Sequence, residues 1–208
     1  MVGLRPSAAF AKSHLELHTV RPGERFGRIY IDRFPNPLGY GNSPSRFSDP
    51  RRRIPANRFG VLYLGQTLKV CFLEAVLRDQ RDGVIGSLAM GEEELDSRRY
   101  AEIEITAPVQ LVDLREDRAI RMGVPTDVHG ASNQTLARWW SVAFHAHPSA
   151  PDGIIYPSRL NGQTNLAIYD RAVGSLRAAR VRQLMAAPDL AEVLDDLAVE
   201  LMQPDSRP

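Results

Sequence analysis

The order of hydrophobic and polar residues along the chain alternates between strand-like and helix-like periods. Short apolar or alternating stretches predict strands over residues 59–65, 100–106, 109–114, 153–156 and 165–169. Helical spacing of apolar residues predicts helices over residues 67–80, 132–147 and 174–203. The first strand leads directly into the first helix, which Thr67 is placed to cap. We therefore expect a single α+β domain with small mixed or antiparallel sheets and surrounding helices.

Two segments lack a regular period. Residues 33–58 are rich in Pro, Gly, Asn and Ser, which predicts a long irregular loop. Loops of that length in a compact domain are usually either functional or disordered. Residues 1–15 show no sustained pattern and are predicted to be a loose lead-in.

Composition excludes several classes of protein. The 26 basic and 25 acidic residues give a net charge of +1, so no overall field favours binding to nucleic acid or to a membrane surface. Neither of the two lysines, Lys12 and Lys69, follows a glycine, which excludes a Walker phosphate loop. Cys71 is the single cysteine, and the apolar runs are far shorter than the roughly 20 residues that span a bilayer. We expect a cytoplasmic protein.

Glu74 is the most informative single residue. The predicted helix over residues 67–80 is apolar on nearly all sides, and Glu74 occupies the one gap in that surface. A carboxylate buried there needs a partner, a proton or a ligand to offset its desolvation. Glu74 is therefore a candidate site residue, and the alternative is a purely architectural ion pair with an arginine.

Arginines near the irregular loop are candidates for binding an anion. Arg28 and Arg46 lie in Gly27-Arg-Ile-Tyr30 and Pro44-Ser-Arg-Phe-Ser-Asp-Pro50, and their guanidinium groups could together hold a diphosphate. The alternative is that both are ordinary surface arginines. No pattern predicts a metal site, because His145 and His147 point to different faces of a helix and His14-x-x-x-His18 lacks the zincin glutamate.

Six motifs in order resemble one known family. They are Gly27-Arg-Ile-Tyr30, Pro44-Ser-Arg-Phe-Ser-Asp-Pro50, Val61-Leu-Tyr-Leu-Gly65, Phe72-Leu-Glu-Ala-Val76, Gly153-Ile-Ile-Tyr-Pro-Ser158 and Thr164-Asn-Leu-Ala-Ile-Tyr-Asp170. This succession resembles the RES domain, whose members are toxins of bacterial toxin–antitoxin pairs neutralised by an Xre-like DNA-binding antitoxin. The resemblance covers residues 16–173, leaves 174–208 as a C-terminal helical extension, and implies a fold similar to that of the ADP-ribosyltransferases.

The resemblance also implies a reaction and a set of site residues. NAD would be the substrate, cleaved at its nicotinamide–ribose bond by hydrolysis or phosphorolysis, and transfer of ADP-ribose to a protein is the second enzymatic possibility. Neither requires a metal. Glu74, Tyr63 and Arg28 would be catalytic, with Glu74 stabilising the developing cation. The residues that would bind NAD are Arg28, Arg46, Tyr63, Ser158 and Asn165.

A non-enzymatic alternative uses the C-terminal segment. An apolar stripe there consists of Leu190, Val193, Leu194, Leu197 and Leu201. Such a stripe must be buried against its own domain, against a second copy in a homodimer, or against an antitoxin. In the last two cases the chain could be a catalytically silent partner-binding module.

Overall fold

The computed structural model, which describes residues 5–41, 43–51 and 58–203, has a large mixed β-sheet at its centre. The strands are β1 Leu17–Val20, β2 Arg25–Ile31, β3 Val61–Gly65, β4 Leu88–Gly91, β5 Arg98–Ile105, β6 Val109–Asp113, β7 Gly153–Pro157, β8 Thr164–Tyr169, β9 Leu176–Gln183 and β10 Val199–Met202. Eight of them form one sheet in the order β1-β6-β7-β8-β3-β2-β5-β9, while β4 and β10 pair separately. Within the large sheet β6 and β7 are parallel, and the other neighbouring strands are antiparallel.

Helices cover this sheet. They are α1 Leu68–Phe72, α2 Glu92–Asp96, α3 Arg118–Arg121, α4 Asp127–Gly130, α5 Thr135–His145 and α6 Leu190–Asp196. A π-helical turn, Leu73–Leu77, continues α1. One apolar cluster packs α5 against β3, β7 and β8, and another packs α1, the π-turn and α6 together. No helix in the described ranges is long and apolar enough to cross a membrane.

Strands β2 and β3 separate soon after they meet. Their register pairs Gly27 with Gly65, whereas β2 continues to Ile31 alongside β5. A Cβ on Gly65 would lie 2.7 Å from Cys71 Sγ, so only glycine lets the strand pass so close to α1. The irregular loop between β2 and β3 enters where the two strands separate, and this opens a cleft beside α1.

Most of the predicted elements are confirmed. The five predicted strands correspond to β3, β5, β6, β7 and β8, and the helix predicted over residues 132–147 is α5. The Thr67 side chain accepts a hydrogen bond from the Val70 backbone N–H at 3.2 Å and so caps α1 as expected. The α+β class is therefore confirmed.

The prediction of a helical C-terminal extension is wrong over most of its length. Residues 176–183 form β9, which pairs along β5, and residues 199–202 form β10, so the helical parts are α6 and short 3₁₀ turns at 174–175 and 184–186. Pairing along an available sheet edge outweighs the helical propensity of Leu, Ala and Arg in β9. The stripe that begins at Leu190 and Val193 is buried in the cluster that contains α1, so it packs on its own domain.

The prediction of a loose lead-in is also wrong for the described residues after position 4. Ala8–Lys12 form a 3₁₀ helix, and Phe10 is buried. The Phe10 ring lies 4.9 Å from that of Trp140 in an edge-to-face contact. This aromatic contact ties the segment to α5.

Candidate active site

A cavity of about 480 Å³ lies where β2 and β3 separate. Five of the six predicted site residues line it, and the sixth, Ser158, contacts one of those five directly. The lining residues among the predicted set are Arg28, Arg46, Tyr63, Glu74 and Asn165. The structure therefore brings all six together, although they are spread over three strands, the turn after β7, the irregular loop and a helix.

Glu74 lies on the π-helical turn. The Arg78 N–H donates to the Leu73 carbonyl at 2.7 Å, which is the five-residue spacing of a π-helix. Leu73, Val76 and Leu77 are buried, whereas Glu74 is partly exposed at the cavity. Single π-turns are found frequently at functional sites because the extra residue redirects a side chain.

Two buried donors hold the Glu74 carboxylate. Ser158 Oγ donates to Oε1 at 2.7 Å and Asn165 Nδ2 donates to the same oxygen at 2.9 Å. Ser158 and Asn165 are each only 3% exposed; Ser158 directly follows β7, and Asn165 is the second residue of β8. Within the described ranges no arginine forms an ion pair with Glu74, which removes support for the architectural alternative. Both bonds fall on Oε1, and none of the residues that the structure describes forms a hydrogen bond with Oε2.

Arg28 is a cation held in a poorly hydrated position. Its Nη1 donates to the Pro37 carbonyl at 2.6 Å, and its Cζ lies 5.6 Å from the centre of the Tyr30 ring. No carboxylate in the described part of the chain forms an ion pair with it. Burial lowers the pKa of Arg28 to about 10. An anion bound in the cavity would offset this desolvation.

Arg46 comes from the irregular loop, which is well anchored in its described part. Arg46 Nη1 donates to the Ala131 carbonyl at 2.7 Å. Phe47, the next residue, is fully buried, and its carbonyl accepts from Ser141 Oγ on α5 at 2.7 Å. These contacts anchor the described part of the loop beside the cavity. Residues 42 and 52–57 of the predicted loop lie outside the described ranges.

Tyr63 connects β3 to that loop. Its hydroxyl accepts a hydrogen bond from the Phe47 N–H at 2.8 Å and shares one with Ser45 Oγ at 2.9 Å. Burial raises the pKa of Tyr63 to about 12, so the phenol stays neutral at pH 7. Because its hydroxyl is engaged by the loop, Tyr63 is placed to position the loop and to offer its ring to a ligand.

Sequence reasoning missed three charged residues of the cavity wall. Arg78, Asp79 and Arg159 all line it, and Arg159 forms an ion pair with Asp79. The only sequence feature that could have indicated these residues is their proximity to predicted site residues. Arg78 follows Glu74 by four residues, and Arg159 follows Ser158 directly.

Two further groups of side chains were candidates for chemistry, namely metal ligands and the cysteine thiol. The described residues contain no group of three or more His, Cys, Asp or Glu side chains that could hold a metal ion. Cys71 also lines the cavity, but burial raises its pKa to about 12, so its thiol is neutral at pH 7.

The fold and the site together define an α+β protein with a carboxylate at the centre of an arginine-lined cavity. The model of the RES domain matches residues 23–191, and the chain belongs to this family. The match runs past residue 173 through β9 and into α6.

Known proteins that are similar to this chain include a probable toxin and a chain of a toxin–antitoxin complex. This chain is 40% identical over 127 residues to the probable toxin y4kH of Sinorhizobium fredii, an alignment that covers 61% of this chain and all of that protein. It is similar in structure to a chain in the crystal structure of the M. tuberculosis MbcT-MbcA toxin-antitoxin complex, with a TM-score of 0.61 and 16% identity over 86% of this chain and 91% of that one. The second likeness concerns the fold alone.

Proposed function

We propose that this protein is a toxin that cleaves NAD at its nicotinamide–ribose bond. The observation that carries the proposal is the Glu74 carboxylate, oriented by Ser158 and Asn165 in a cavity that is also lined by Arg28 and Arg46. The family, the name of the Sinorhizobium relative and the toxin–antitoxin complex of the structural neighbour support the toxin role.

The chemistry needs a group that stabilises positive charge. When the bond between ribose C1′ and the nicotinamide nitrogen breaks, its electron pair leaves with nicotinamide and neutralises the pyridinium, so no acid is needed to assist departure. The ribose becomes an oxocarbenium-like cation. A fixed carboxylate stabilises that cation more than it stabilises the ground state, which lowers the barrier. Glu74 Oε2 is the atom we assign to this role.

The remaining site residues would bind and orient the dinucleotide. Arg28 and Arg46 supply two guanidinium groups for its diphosphate. Binding of the diphosphate would fix the nicotinamide ribose relative to Glu74, so that binding energy is used to orient the reacting bond. The ring of Tyr63 offers an apolar face for the nicotinamide or ribose.

The acceptor of the ADP-ribosyl group decides the reaction class. Water would give ADP-ribose and release one proton, inorganic phosphate would give an ADP-ribose phosphate ester, and a nucleophilic side chain would give a modified protein. Chromatography of NAD incubated with the enzyme, with and without phosphate and cell extract, separates the three outcomes.

The central test is the isosteric variant Glu74→Gln. It keeps the shape of the side chain and removes the negative charge, so we expect nicotinamide release to fall at least a hundredfold with an unchanged melting curve. Glu200→Gln, an exposed change on β10, is the matched control and should retain full activity. Nicotinamide release by Glu74→Gln at the wild-type rate would refute the role of the carboxylate.

The toxin role also includes a protein partner. We propose that an Xre-like antitoxin neutralises this chain. Expression of the chain alone should arrest bacterial growth and deplete NAD, co-expression with the protein encoded beside it should restore both, and Glu74→Gln should be harmless. A homodimer stays a prediction, to be measured by light scattering of the purified chain.

A further inference from the structure

Arg78 has a backbone conformation that arginine rarely adopts. Its φ of 46° and ψ of −123° lie in the region where side chains with a Cβ are strained. The Gln80 N–H donates to the Leu77 carbonyl at 2.9 Å, so Arg78 is the second residue of a four-residue turn. These angles are those of a type II′ turn, in which glycine is the usual residue at this position. Glycine would therefore remove the strain, and arginine retains it.

The strained residue, Arg78, lies at the candidate active site. Arg78 ends the π-helical turn that carries Glu74, and its Nε donates to the Glu74 backbone carbonyl at 3.2 Å. Arg78 lines the cavity. The other non-glycine residues with positive φ in the described ranges lie away from the cavity: Glu116, Ala150, Asp189 and Ala198.

The charge of Arg78 is available to a ligand. Arg159, the neighbouring cation of this wall, is paired with Asp79. Arg78 is exposed, and no carboxylate in the described residues forms an ion pair with it. Its Nε is held by a carbonyl, and no hydrogen bond to another described residue engages the two terminal nitrogens, which can therefore bind an anion. Planar guanidinium groups bind phosphoryl oxygens in pairs.

We propose that Arg78 is a substrate-binding residue, held in a strained conformation so that its guanidinium grips a phosphoryl group beside Glu74. The inference rests on the proposed function, which supplies phosphoryl groups on the dinucleotide and, in the phosphorolytic case, as free phosphate. Backbone strain at a binding residue lowers the stability of the unliganded protein, but it also holds the cation in the position where the ligand binds.

The test separates strain from binding with paired variants. Arg78→Gly removes both the strain and the guanidinium, while Arg78→Gln removes the charge and keeps the strain. Ala198→Gly is the matched control, because Ala198 has a φ of 47° at the end of α6 and does not line the cavity. Melting temperature and the steady-state constants for NAD cleavage are measured for all three and for the wild type.

We expect both glycine variants to melt about 2–4 °C or more above the wild type. Only the two Arg78 variants should raise KM for NAD, by about tenfold, with kcat within a factor of about three, since a phosphate contact is made in ground and transition states alike. An unchanged KM in Arg78→Gly would overturn the binding role. An unchanged melting temperature in that variant would overturn the strain argument.

Binding measurements identify the source of the phosphoryl group. Calorimetric titration with pyrophosphate and, separately, with inorganic phosphate gives the affinity of each for wild type and Arg78→Gln. Weakened pyrophosphate binding assigns Arg78 to the dinucleotide, and weakened binding of inorganic phosphate alone assigns it to a free phosphate. Unchanged affinity for both would refute the proposal. These titrations need no turnover, so a wild type that does not cleave NAD would refute the proposed function and leave the test of Arg78 intact.

Discussion

Replacing Asn165 by aspartate tests the geometry of the site independently of its activity. Asn165 Nδ2 lies 2.9 Å from Glu74 Oε1, and the Asn165 side chain is almost completely buried. Asn165→Asp keeps the shape but puts a second carboxylate oxygen where the donor was. The two groups then either repel each other as anions or share a proton.

Repulsion between two carboxylates and protonation of one of them cost a similar free energy at pH 7. Two unit charges 4 Å apart repel by about 4 kcal/mol at an effective dielectric constant near 20. Keeping one carboxyl protonated at pH 7, about three pH units above its ordinary pKa, also costs about 4 kcal/mol at 1.36 kcal/mol per unit. We therefore expect the free energy of unfolding to fall by about 4 kcal/mol, and Tm by roughly 8–16 °C in a chain of this size.

The loss of stability in Asn165→Asp should increase as pH rises. In the variant the folded pair retains a proton that the unfolded chain releases as pH rises above about 4. The folded state is then relatively more stable at low pH and loses that stability as pH rises towards neutrality. Thermal melts of Asn165→Asp should approach the wild type near pH 4 and diverge by pH 7.

A matched control exists on the same hairpin. Asn161 is exposed, and its Oδ1 accepts from the Gln163 N–H at 3.1 Å, a bond that aspartate would also make. Asn161→Asp should change stability by less than about 0.5 kcal/mol across the pH range. Equal melting temperatures for the two aspartate variants at pH 7 would show that Asn165 does not face the Glu74 carboxylate.

Three further predictions concern the other site residues. Arg46→Ala should raise KM for NAD more than it lowers kcat, and Arg46→Lys should rescue poorly, because a lysine cannot reproduce a bidentate phosphate contact; steady-state kinetics would contradict this if Arg46→Lys kept the wild-type KM. Arg28→Met should leave the Tm of the unliganded protein unchanged or higher, since a pKa lowered to about 10 corresponds to about 3 kcal/mol of desolvation that the variant avoids. Calorimetry should show that the same variant binds pyrophosphate much more weakly. Tyr63→Phe should lower the free energy of unfolding by about 1–3 kcal/mol in denaturant melts, because the Phe47 N–H loses its acceptor, and a wild-type stability would argue against the hydroxyl contact.

The local pattern was sufficient where burial follows from neighbouring residues. The alternation in residues 100–106 and the apolar run before Gly65 report strands directly, because one or both faces of each strand are buried. Glu74 could be singled out because it interrupts an otherwise apolar helical surface. The pattern does not show that the helix becomes a π-turn at Leu73, since that change depends on how α1 packs.

The residue pattern identified one carboxylate in an apolar helix and two arginines near an irregular loop, and the resemblance to the RES domain added a serine and an asparagine from later motifs. Only the tertiary structure decided which of them touch. Ser158 and Asn165 are 84 and 91 residues from Glu74, and no local period encodes such a contact. Local sequence also could not predict β9, because its strand conformation depends on pairing with the edge of β5. Nor could it predict the strained backbone of Arg78, which depends on the tight turn that ends the π-helix.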